Sequence, residues 1–338
     1  MVRDRKRDQT GAKQKVLMNH SVVIFGASGF IGTRLVSRLA GAGKPVVAVD
    51  IASPRHVVDG VSYITGDVRE RLSPNLSGPG CVIYNLAAVH RTPGHPPHEY
   101  YETNVLGAQN VTRFAQESGA HALVFTSSIS VYGPSEEPVT ESSLLTPASD
   151  YGRSKMMAEE IHRRWRETSP GRKLVVVRPG VVFGPGERGN YSHLARALKR
   201  RAFAYPGRKS TIKSGGYVDE LLRSLDFALG SADDEVTFNF AFPEESTAED
   251  IVIAFGRVAG YRTSYPVLPI SLMLAAAGVF EGAAALGLKT PIHRERIWKL
   301  VRSTRVRPQW LLDNGYVFSS DLESALKAWA EETDGTFV

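Results

Sequence analysis

The sequence predicts a doubly wound α/β fold, in which helices cover both faces of a parallel sheet, with a smaller C-terminal part packed against it. Two observations support this. Short apolar runs alternate with helix-like segments through the first half of the 338 residues, which is typical of strands buried on both faces. After Arg178, glycine and proline interrupt this alternation, so we expect a boundary near residue 180.

The segments follow one another in the order that this fold requires. The apolar run 21–25 predicts a first strand, and a glycine-rich turn and a helix ending near Leu39 follow it. Further strands are predicted at 45–49, 61–65, 82–85, 122–126 and 174–177. Helical periodicity is found at 104–118 and 154–167.

Composition indicates a globular chain, with an apolar share of 42% and a charged share of 22%. The single cysteine, Cys81, excludes an internal disulfide and fits a reducing compartment, so we expect a cytoplasmic protein. Because the apolar residues Val82 and Ile83 follow it, we interpret Cys81 as a buried strand residue and not as a nucleophile.

Charge and apolar patterning argue against nucleic-acid and membrane-spanning classes. Of the net charge of +6, about four charges lie in the first fifteen residues, so the remaining chain lacks a nucleic-acid footprint. We interpret residues 1–19 as a disordered basic tail without a signal-peptide core. The apolar stretch 271–288 is short for a membrane span and contains Glu281, so it predicts a packed helix.

A glycine-rich turn predicts a dinucleotide site. The string Gly26-Ala27-Ser28-Gly29-Phe30-Ile31-Gly32 follows the first predicted strand and opens a helix. Glycines there permit a tight turn and let backbone N–H groups approach a pyrophosphate at the helix N-terminus. The spacing differs from the Gly-x-Gly-x-x-Gly of the Rossmann fingerprint, so the prediction depends on the strand–turn–helix context and on Asp50.

Asp50 ends the second predicted strand, eighteen positions after Gly32. A carboxylate at this place accepts hydrogen bonds from ribose hydroxyls and repels a 2′-phosphate, which predicts NAD in preference to NADP. Arg55 lies nearby and could pair with such a phosphate, so NADP is the alternative.

Tyr151 and Lys155 place a phenol and an ammonium group on one helix face, one turn apart. The phenol can move a proton at a carbinol oxygen. Positive charge from Lys155 and from an oxidised nicotinamide should lower its pKa from about 10. Ser128 would polarise the same oxygen by hydrogen bonding. Ser127 is the alternative if the alignment shifts by one, and Tyr132 is expected to pack structurally.

These motifs, in this order, resemble those of the extended short-chain dehydrogenases/reductases, in particular the NAD-dependent nucleotide-sugar epimerase/dehydratase family. The resemblance implies that Asp67-Val68 flanks the adenine, that Leu86-Ala87-Ala88 passes the middle of the cofactor, and that Asn104 braces the central strand. It also implies Ser128, Tyr151 and Lys155 as catalytic residues. The implied NAD-binding residues are Gly26, Ser28, Gly29, Phe30, Ile31, Gly32, Asp50, Asp67, Val68, Leu86, Ala87, Ala88, Asn104, Thr126, Tyr151, Lys155 and Pro179.

The second half resembles bacterial members of this family from surface-polysaccharide pathways, through residues 178–190 and 213–218. The resemblance implies that Lys213 meets the substrate diphosphate, although a surface lysine is the alternative interpretation. The other expected substrate-binding residues are His90, Ser128 and Asn190.

Two departures from the family pattern narrow the expected reaction. Hexose epimerases typically carry a Tyr-Phe-Asn segment where this chain has Pro179-Gly180-Val181, so a generic galactose epimerase is in doubt. The 4,6-dehydratases place an acid after the catalytic hydroxyl residue, where this chain has Ile129, so dehydration is disfavoured.

We therefore expect an NAD-dependent nucleotide-sugar epimerase that acts at a sugar carbinol, at C4, and forms a homodimer. Residues 20–180 would bind NAD, residues 181–338 would mainly bind the substrate, and no metal site is predicted. The alternatives are a nucleotide-sugar dehydrogenase or 4-ketoreductase, a 3β-hydroxysteroid-dehydrogenase-like alcohol oxidoreductase, and a non-catalytic NAD-sensing module. The intact Ser128, Tyr151 and Lys155 set argues against the last, because sensing does not require these groups.

Overall fold

The computed structural model describes residues 21–92, 94–285 and 294–338. The predicted basic tail, 1–19, lies outside the described residues. The strands of the described part are β1 (Val22–Phe25), β2 (Val46–Asp50), β3 (Ser62–Thr65), β4 (Val82–Asn85), β5 (Ala122–Thr126), β6 (Ser135–Val139), β7 (Lys173–Pro179), β8 (Val181–Phe183), β9 (Tyr205–Pro206), β10 (Gly215–Tyr217), β11 (Glu235–Phe240), β12 (Val267–Leu268) and β13 (Thr304–Val306).

The α-helices of the described part are α1 (Phe30–Gly41), α2 (Pro97–Tyr101), α3 (Gly107–Glu117), α4 (Asp150–Glu167), α5 (Asn190–Lys199), α6 (Val218–Gly230), α7 (Ala248–Ala259), α8 (Ile270–Ala285), α9 (Arg294–Val301), α10 (Gln309–Asp313) and α11 (Leu322–Glu332). A π-helical turn, Glu102–Leu106, joins α2 to α3, and 3₁₀ turns lie at Pro74–Leu76 and Ile129–Val131.

Within the described ranges, seven strands form one parallel sheet in the order β11-β7-β5-β4-β1-β2-β3. The sheet confirms the predicted doubly wound α/β class. The chain order reverses between β1 and β4, and in sheets of this kind the carboxyl ends of the strands at the reversal border a binding crevice. The glycine-rich turn follows β1 at this position.

Both faces of the sheet are buried, which explains why its central strands have continuous apolar sequences. Val22 and Ile24 of β1 pack with α1, α6 and α10 on one face. Phe25 packs with α3 and α4 on the other, where its ring meets Phe114 edge to face at 5.4 Å. Cys81 is buried in this second layer, as expected for a strand residue.

The sheet extends past the predicted boundary near residue 180, because β11 adds an edge strand to β7. Sequence patterning did not reveal it, since Glu235 and Thr237 are only partly buried and interrupt the apolar run. Residues beyond the sheet build a second core, in which Phe183 stacks on Tyr191 at 4.2 Å and also meets Trp329.

The C-terminal part returns to the segment that follows β5. Strand β13 pairs with β6, and Val306 packs against Ile129 and Val131. The carboxylate of Glu141, just beyond β6, accepts a hydrogen bond from the backbone N–H of Trp310 at 3.2 Å.

The predicted helix within 271–288 is confirmed for Ile270–Ala285, and residues 286–288 lie outside the described part. The expectation that this helix is packed is wrong for its outer side, where Leu272 and Phe280 are exposed. Small residues permit close packing but do not enforce it, and only part of α8 meets a neighbouring element. Among the described helices, none has both the length and the apolar character needed to cross a bilayer.

Candidate active site

The glycine-rich turn leaves no space for side chains at two of its positions. Gly26 has a φ of +81°, and a Cβ atom there would lie 2.6 Å from the backbone nitrogen of Ala87. A Cβ atom on Gly32 would lie 2.2 Å from the carbonyl oxygen of Gly26. The turn therefore brings the start of α1 and the segment after β4 together.

The start of α1 is suited to an anion. Its N-cap residue is Gly29, which provides no side-chain cap, so the described residues leave this helix end without one. Phe30 and Ile31 begin the helix, and the partial positive charge of its N-terminus faces the crevice beside β1. This cradle fits the pyrophosphate of a dinucleotide.

Asp50 lies at the end of β2 and holds the glycine-rich turn. Its carboxylate accepts hydrogen bonds from the backbone N–H groups of Ser28 and Ala52, both at 2.9 Å. Arg55, the residue on which an NADP site would depend, donates to the carbonyl oxygen of Gly186 at 2.8 Å. Gly186 belongs to the loop between β8 and α5. This loop also approaches the start of α1, since a Cβ atom on Gly186 would lie 4.0 Å from the ring of Phe30.

Asp67 and Val68 follow β3 at the same edge of the sheet. Asp67 forms a bidentate ion pair with Arg69, and this hydrogen bonding lowers the pKa of the carboxyl. Val68 is buried, and its carbonyl oxygen accepts from Asn110 at 2.8 Å. Val68 therefore anchors this segment in the core, while the side chain of Asp67 is only 19% exposed.

Asn104 is buried in the π-helical turn and braces two parts of the site. Its side chain exchanges hydrogen bonds with the backbone of Val89, both at 3.0 Å. It also donates to the hydroxyl of Ser154 on α4 at 2.9 Å. One side chain therefore ties the segment after β4, which includes Leu86, Ala87 and Ala88, to the helix that carries Tyr151 and Lys155. π-Helical turns are frequent at functional sites.

Tyr151 and Ser128 meet at the carboxyl end of β5. Burial raises the pKa of Tyr151 to about 12, while a hydrogen bond with Ser128 acts in the opposite direction. In the protein alone, desolvation outweighs the single hydrogen bond; the expected lowering, which depends on the charge of an oxidised nicotinamide, stays a prediction.

Lys155 lies beneath the site and is only 2% exposed. Its ammonium group donates to the carbonyl oxygen of Thr126 at 2.8 Å and lies 4.8 Å from the ring centre of Phe125. Burial lowers the pKa of Lys155 to about 7. The hydroxyl of Thr126 is buried and finds no hydrogen-bond partner among the described residues.

The two neighbouring serines have different surroundings. Ser127 donates to the buried carboxylate of Glu159 at 2.5 Å. Ser128 instead donates to the hydroxyl of Ser130 and accepts from the backbone N–H of Ser130, both at 3.1 Å, and its hydroxyl acts to lower the pKa of Tyr151. The geometry therefore favours Ser128 over Ser127 as the residue that meets a substrate oxygen.

A buried ion pair supports this wall of the site. Arg178 donates to both carboxylate oxygens of Glu159, at 2.9 and 2.7 Å. Burial acts to raise the pKa of Glu159, but the hydrogen bonds from Arg178 and Ser127 hold it below its usual value. Arg178 also donates to the phenol oxygen of Tyr132 at 2.7 Å, which confirms the structural role expected for Tyr132.

The expected substrate residues lie at separate places. His90 is exposed. Partial desolvation of its ring, and then the positive charge of Lys155, lower the pKa of His90, so His90 lies on the Lys155 side of the site. Asn190 is exposed at the start of α5, while Pro179 is buried at the end of β7. The ammonium group of Lys213 donates to the carbonyl oxygens of Lys299 and Arg302, both at 2.8 Å, at the end of α9.

Three further features of the site were not predicted. The ring of Tyr100 lies 6.3 Å from that of Tyr151. Asn85 and His162 form a buried 3.1 Å contact, and burial lowers the pKa of His162 to about 3. Lys299 donates to the carbonyl oxygen of Thr92 at 2.7 Å. The sequence pair Tyr100-Tyr101, just before Asn104, could have indicated an aromatic residue at the site. The Asn85–His162 and Lys299–Thr92 contacts join distant segments, so no local pattern indicates them.

The sequence matches the NAD dependent epimerase/dehydratase family over residues 22–241, which is more than half of the chain. The chain belongs to this family. The family contains enzymes of the extended short-chain dehydrogenase/reductase type, and NAD is their cofactor. The described residues contain no group of three or more His, Cys, Asp or Glu side chains placed to hold a metal ion.

Known proteins similar to this family member include several 4-epimerases. The N-acetyl-α-D-glucosaminyl-diphospho-ditrans,octacis-undecaprenol 4-epimerase of Escherichia coli O157:H7 is 29% identical over 333 residues, covering 95% of this chain and 99% of that protein. A UDP-glucose 4-epimerase of Vibrio cholerae is 29% identical over 194 residues, covering 54% of this chain and 58% of that protein.

Solved structures show the same fold. The UDP-glucose 4-epimerase of Thermus thermophilus in complex with NAD matches with a TM-score of 0.72 and 21% identity, covering 93% of this chain and 99% of that one. The UDP-N-acetylglucosamine 4-epimerase of Methanobrevibacter ruminantium M1, in complex with UDP-N-acetylmuramic acid, matches with a TM-score of 0.73 and 19% identity. The match covers 94% of this chain and 98% of that one.

Proposed function

We propose that the chain catalyses NAD-dependent epimerisation, at C4, of a sugar joined to its carrier through a diphosphate, in the synthesis of surface-polysaccharide precursors. The observation that carries the proposal is the meeting of Tyr151 and Ser128 at the crevice beside the glycine-rich turn, with Lys155 beneath them. The similarity to 4-epimerases over nearly the whole chain supports it.

The residues around the crevice fit NAD. The first turn of α1, after Gly29, would hold the pyrophosphate, and Asp50 would accept hydrogen bonds from the adenosine ribose through the remaining lone pairs of its carboxylate. Asp67 and Val68 lie on the adenine side. Thr126, whose buried hydroxyl finds no partner in the described part, and Lys155 lie on the nicotinamide side.

Tyr151 would move the proton. When bound, NAD accepts and returns a hydride at the carbinol carbon, and its oxidised ring adds positive charge near the phenol. Ser128 would donate a hydrogen bond to the sugar oxygen, holding it against Tyr151. Lys155 favours the phenolate if its ammonium group turns from Thr126 toward the ribose and the phenol. Re-reduction from the opposite face of the keto sugar would then complete the inversion.

Two carriers for the diphosphate fit this function. A nucleotide sugar is supported by the UDP-sugar epimerases among the similar proteins. A sugar diphosphate of undecaprenol is favoured by a specific observation, since the relative named for that substrate matches over 95% of this chain and 99% of its own length. Lys213 and Asn190 are proposed to face the diphosphate and sugar, and His90 the catalytic end.

We also propose a cytoplasmic homodimer. A single buried cysteine supports a reducing compartment, and the dimer follows from the family resemblance. Sedimentation of the purified chain would test the dimer.

The test of the proposed function is to incubate the enzyme with UDP-linked and undecaprenyl-diphospho-linked N-acetylhexosamines. Sugar stereochemistry is followed by NMR and NADH by its near-ultraviolet absorbance. We expect interconversion of the C4 epimers without net NADH. Stoichiometric NADH with a keto product would indicate a dehydrogenase, and loss of the 6-hydroxyl would indicate a dehydratase. A Tyr151→Phe enzyme is the control for contaminating activity.

A further inference from the structure

Helix α8 turns apolar side chains toward water. Leu272, Ala276 and Phe280 recur at every fourth position and are exposed, Leu272 by 60% and Phe280 by 40%. Ala277, on another side of the helix, is fully buried. A surface helix normally presents polar residues to solvent, and a contiguous apolar surface indicates that something else covers it.

Neighbouring elements extend this surface. On α9, Trp298 is 39% exposed and Leu300 is 50% exposed. Helix α9 packs against α8 and against β9, and β12 pairs with β9, so these elements share one region of the molecule. The apolar patch is defined here as Val267, Leu268, Leu272, Trp298 and Leu300.

Basic residues accompany the apolar patch. Between residues 262 and 302, the exposed basic residues of the described part are Arg262, Arg294, Lys299 and Arg302. Arg262 and Arg302 are exposed, and the guanidinium of Arg302 lies 5.1 Å from the ring centre of Trp298. Cations beside an exposed tryptophan and leucines are typical of surfaces that enter the headgroup region of a bilayer. The charge is complementary to anionic lipid.

The apolar patch adjoins the candidate active site. Lys299, between Trp298 and Leu300, donates to the carbonyl oxygen of Thr92. The preceding residue, Arg91, accepts a hydrogen bond at its carbonyl oxygen from Tyr100, whose ring neighbours Tyr151. The segment after β4 is therefore a wall that the patch and the site share.

We propose that the apolar patch docks on the surface of an anionic lipid membrane, with α8 and α9 in the headgroup region. The inference deepens the proposed function, and the benefit of docking for catalysis rests on that function. A sugar diphosphate carried by a polyprenol has its diphosphate in the headgroup region, so an enzyme docked there would meet its substrate. The docking itself requires no turnover.

Vesicle binding tests the docking directly. We expect the full chain to sediment with vesicles that contain phosphatidylglycerol and only weakly with phosphatidylcholine vesicles, and added salt should release it. The double variant Leu272→Ser/Leu300→Ser should bind these vesicles at least about tenfold more weakly, because two exposed leucines lose their apolar contact with lipid. The matched control, Val317→Ser, removes a residue that is 76% exposed outside the patch and should bind as the parent does.

Fluorescence gives a second readout. Trp298 is the most exposed of the described tryptophans, so vesicles should shift the emission to shorter wavelength, and Trp298→Phe should remove most of that shift. Three outcomes would overturn the docking: no binding to either vesicle, equal binding to both, or a parent dimer that the double variant converts to monomers. The last would mean that a second copy covers the patch.

The docking and the proposed function can fail separately. Epimerisation of a soluble UDP-linked N-acetylhexosamine needs no vesicles, and the double variant should retain it. Vesicle binding without epimerisation of any sugar diphosphate would contradict the function alone. Epimerisation without vesicle binding would contradict the docking alone.

Discussion

The ammonium group of Lys155 donates a 2.8 Å hydrogen bond to the carbonyl oxygen of Thr126, directly beneath the crevice in the sheet. Burial lowers the pKa of this lysine to about 7, while that of Tyr151 is raised to about 12. An acid and a base one helical turn apart are thus both far from their ordinary values, which is typical of functional sites. The chemistry of the site and the stability of the fold should depend on the same lysine.

Replacement of Lys155 by Met should have opposite effects on stability and function. The folded pKa lies below the ordinary value of 10.5, so the charged form is costly in the fold. That cost is complete below about pH 7 and disappears as the pH rises toward 10.5. At neutral pH, Lys155→Met should therefore stabilise the chain, on the order of 1–3 kcal/mol, while it weakens NAD binding and turnover.

Urea unfolding of both proteins across this pH range is the measurement. The parent should gain stability between neutral and alkaline pH relative to Lys155→Met. A variant that is less stable at every pH would show that the hydrogen bond to Thr126 outweighs the burial of charge.

Replacement of Tyr151 by Phe should abolish turnover and leave NAD affinity nearly unchanged. The change removes the hydroxyl that meets Ser128 and keeps the ring that packs near Tyr100. Loss of a general acid/base costs about 10²–10⁴-fold in rate. Turnover and calorimetric NAD titration are the measurements. Tyr265→Phe, which removes a hydroxyl from the second core, is the control. Substantial residual rate in Tyr151→Phe would exclude Tyr151 as the proton carrier.

Replacement of Asp50 by Asn should reduce the preference for NAD over NADP. The carboxylate accepts from the backbone N–H groups of Ser28 and Ala52, and an amide can accept on only one of its two ends. We expect weaker NAD binding and a smaller penalty for a 2′-phosphate, because the negative charge is lost. Calorimetric titration of both cofactors measures this. If the parent binds NADP as tightly as NAD, Arg55 becomes the residue to replace.

Replacement of Lys213 by Ala should raise the KM for a sugar diphosphate more than it lowers kcat. The change removes a positive charge proposed to face the diphosphate, and a charge-assisted hydrogen bond contributes about 1.5–3 kcal/mol. It also removes the hydrogen bonds that Lys213 donates to the carbonyl oxygens of Lys299 and Arg302, so the Tm should fall. Lys209→Ala, which breaks a surface pair with Glu249, is the control. A lower Tm with an unchanged KM would assign Lys213 to helix anchoring alone.

The sequence predicted most of the parallel sheet, because each strand depends on a local apolar pattern. The pairing of Ser128 with Tyr151 was implied by the family resemblance, and their catalytic roles stay predictions. The ends of β4 and β5 agree with the predicted bounds. The strand Glu235–Phe240 was missed because its first half alternates in burial.

Side-chain partners were harder to predict. The carbonyl oxygens held by Lys213 belong to residues more than eighty positions away along the chain, and no spacing in the sequence indicates that approach. The desolvation that raises the pKa of Tyr151 was not predicted, because it depends on how closely the folded chain surrounds the phenol. The outer face of α8 was missed for a related reason, since composition does not show which side of an apolar helix finds a neighbour.

The pairing of β13 with β6 has a consequence for the order in which the enzyme becomes active. Strand β6 follows the Ser128 turn directly, and its partner lies at Thr304–Val306, near the end of the chain. During translation, the nucleotide-binding half can fold as soon as its strands leave the ribosome. The serine turn cannot acquire this support until Thr304–Val306 has been made. Nascent chains should therefore acquire cofactor affinity before they acquire catalytic competence.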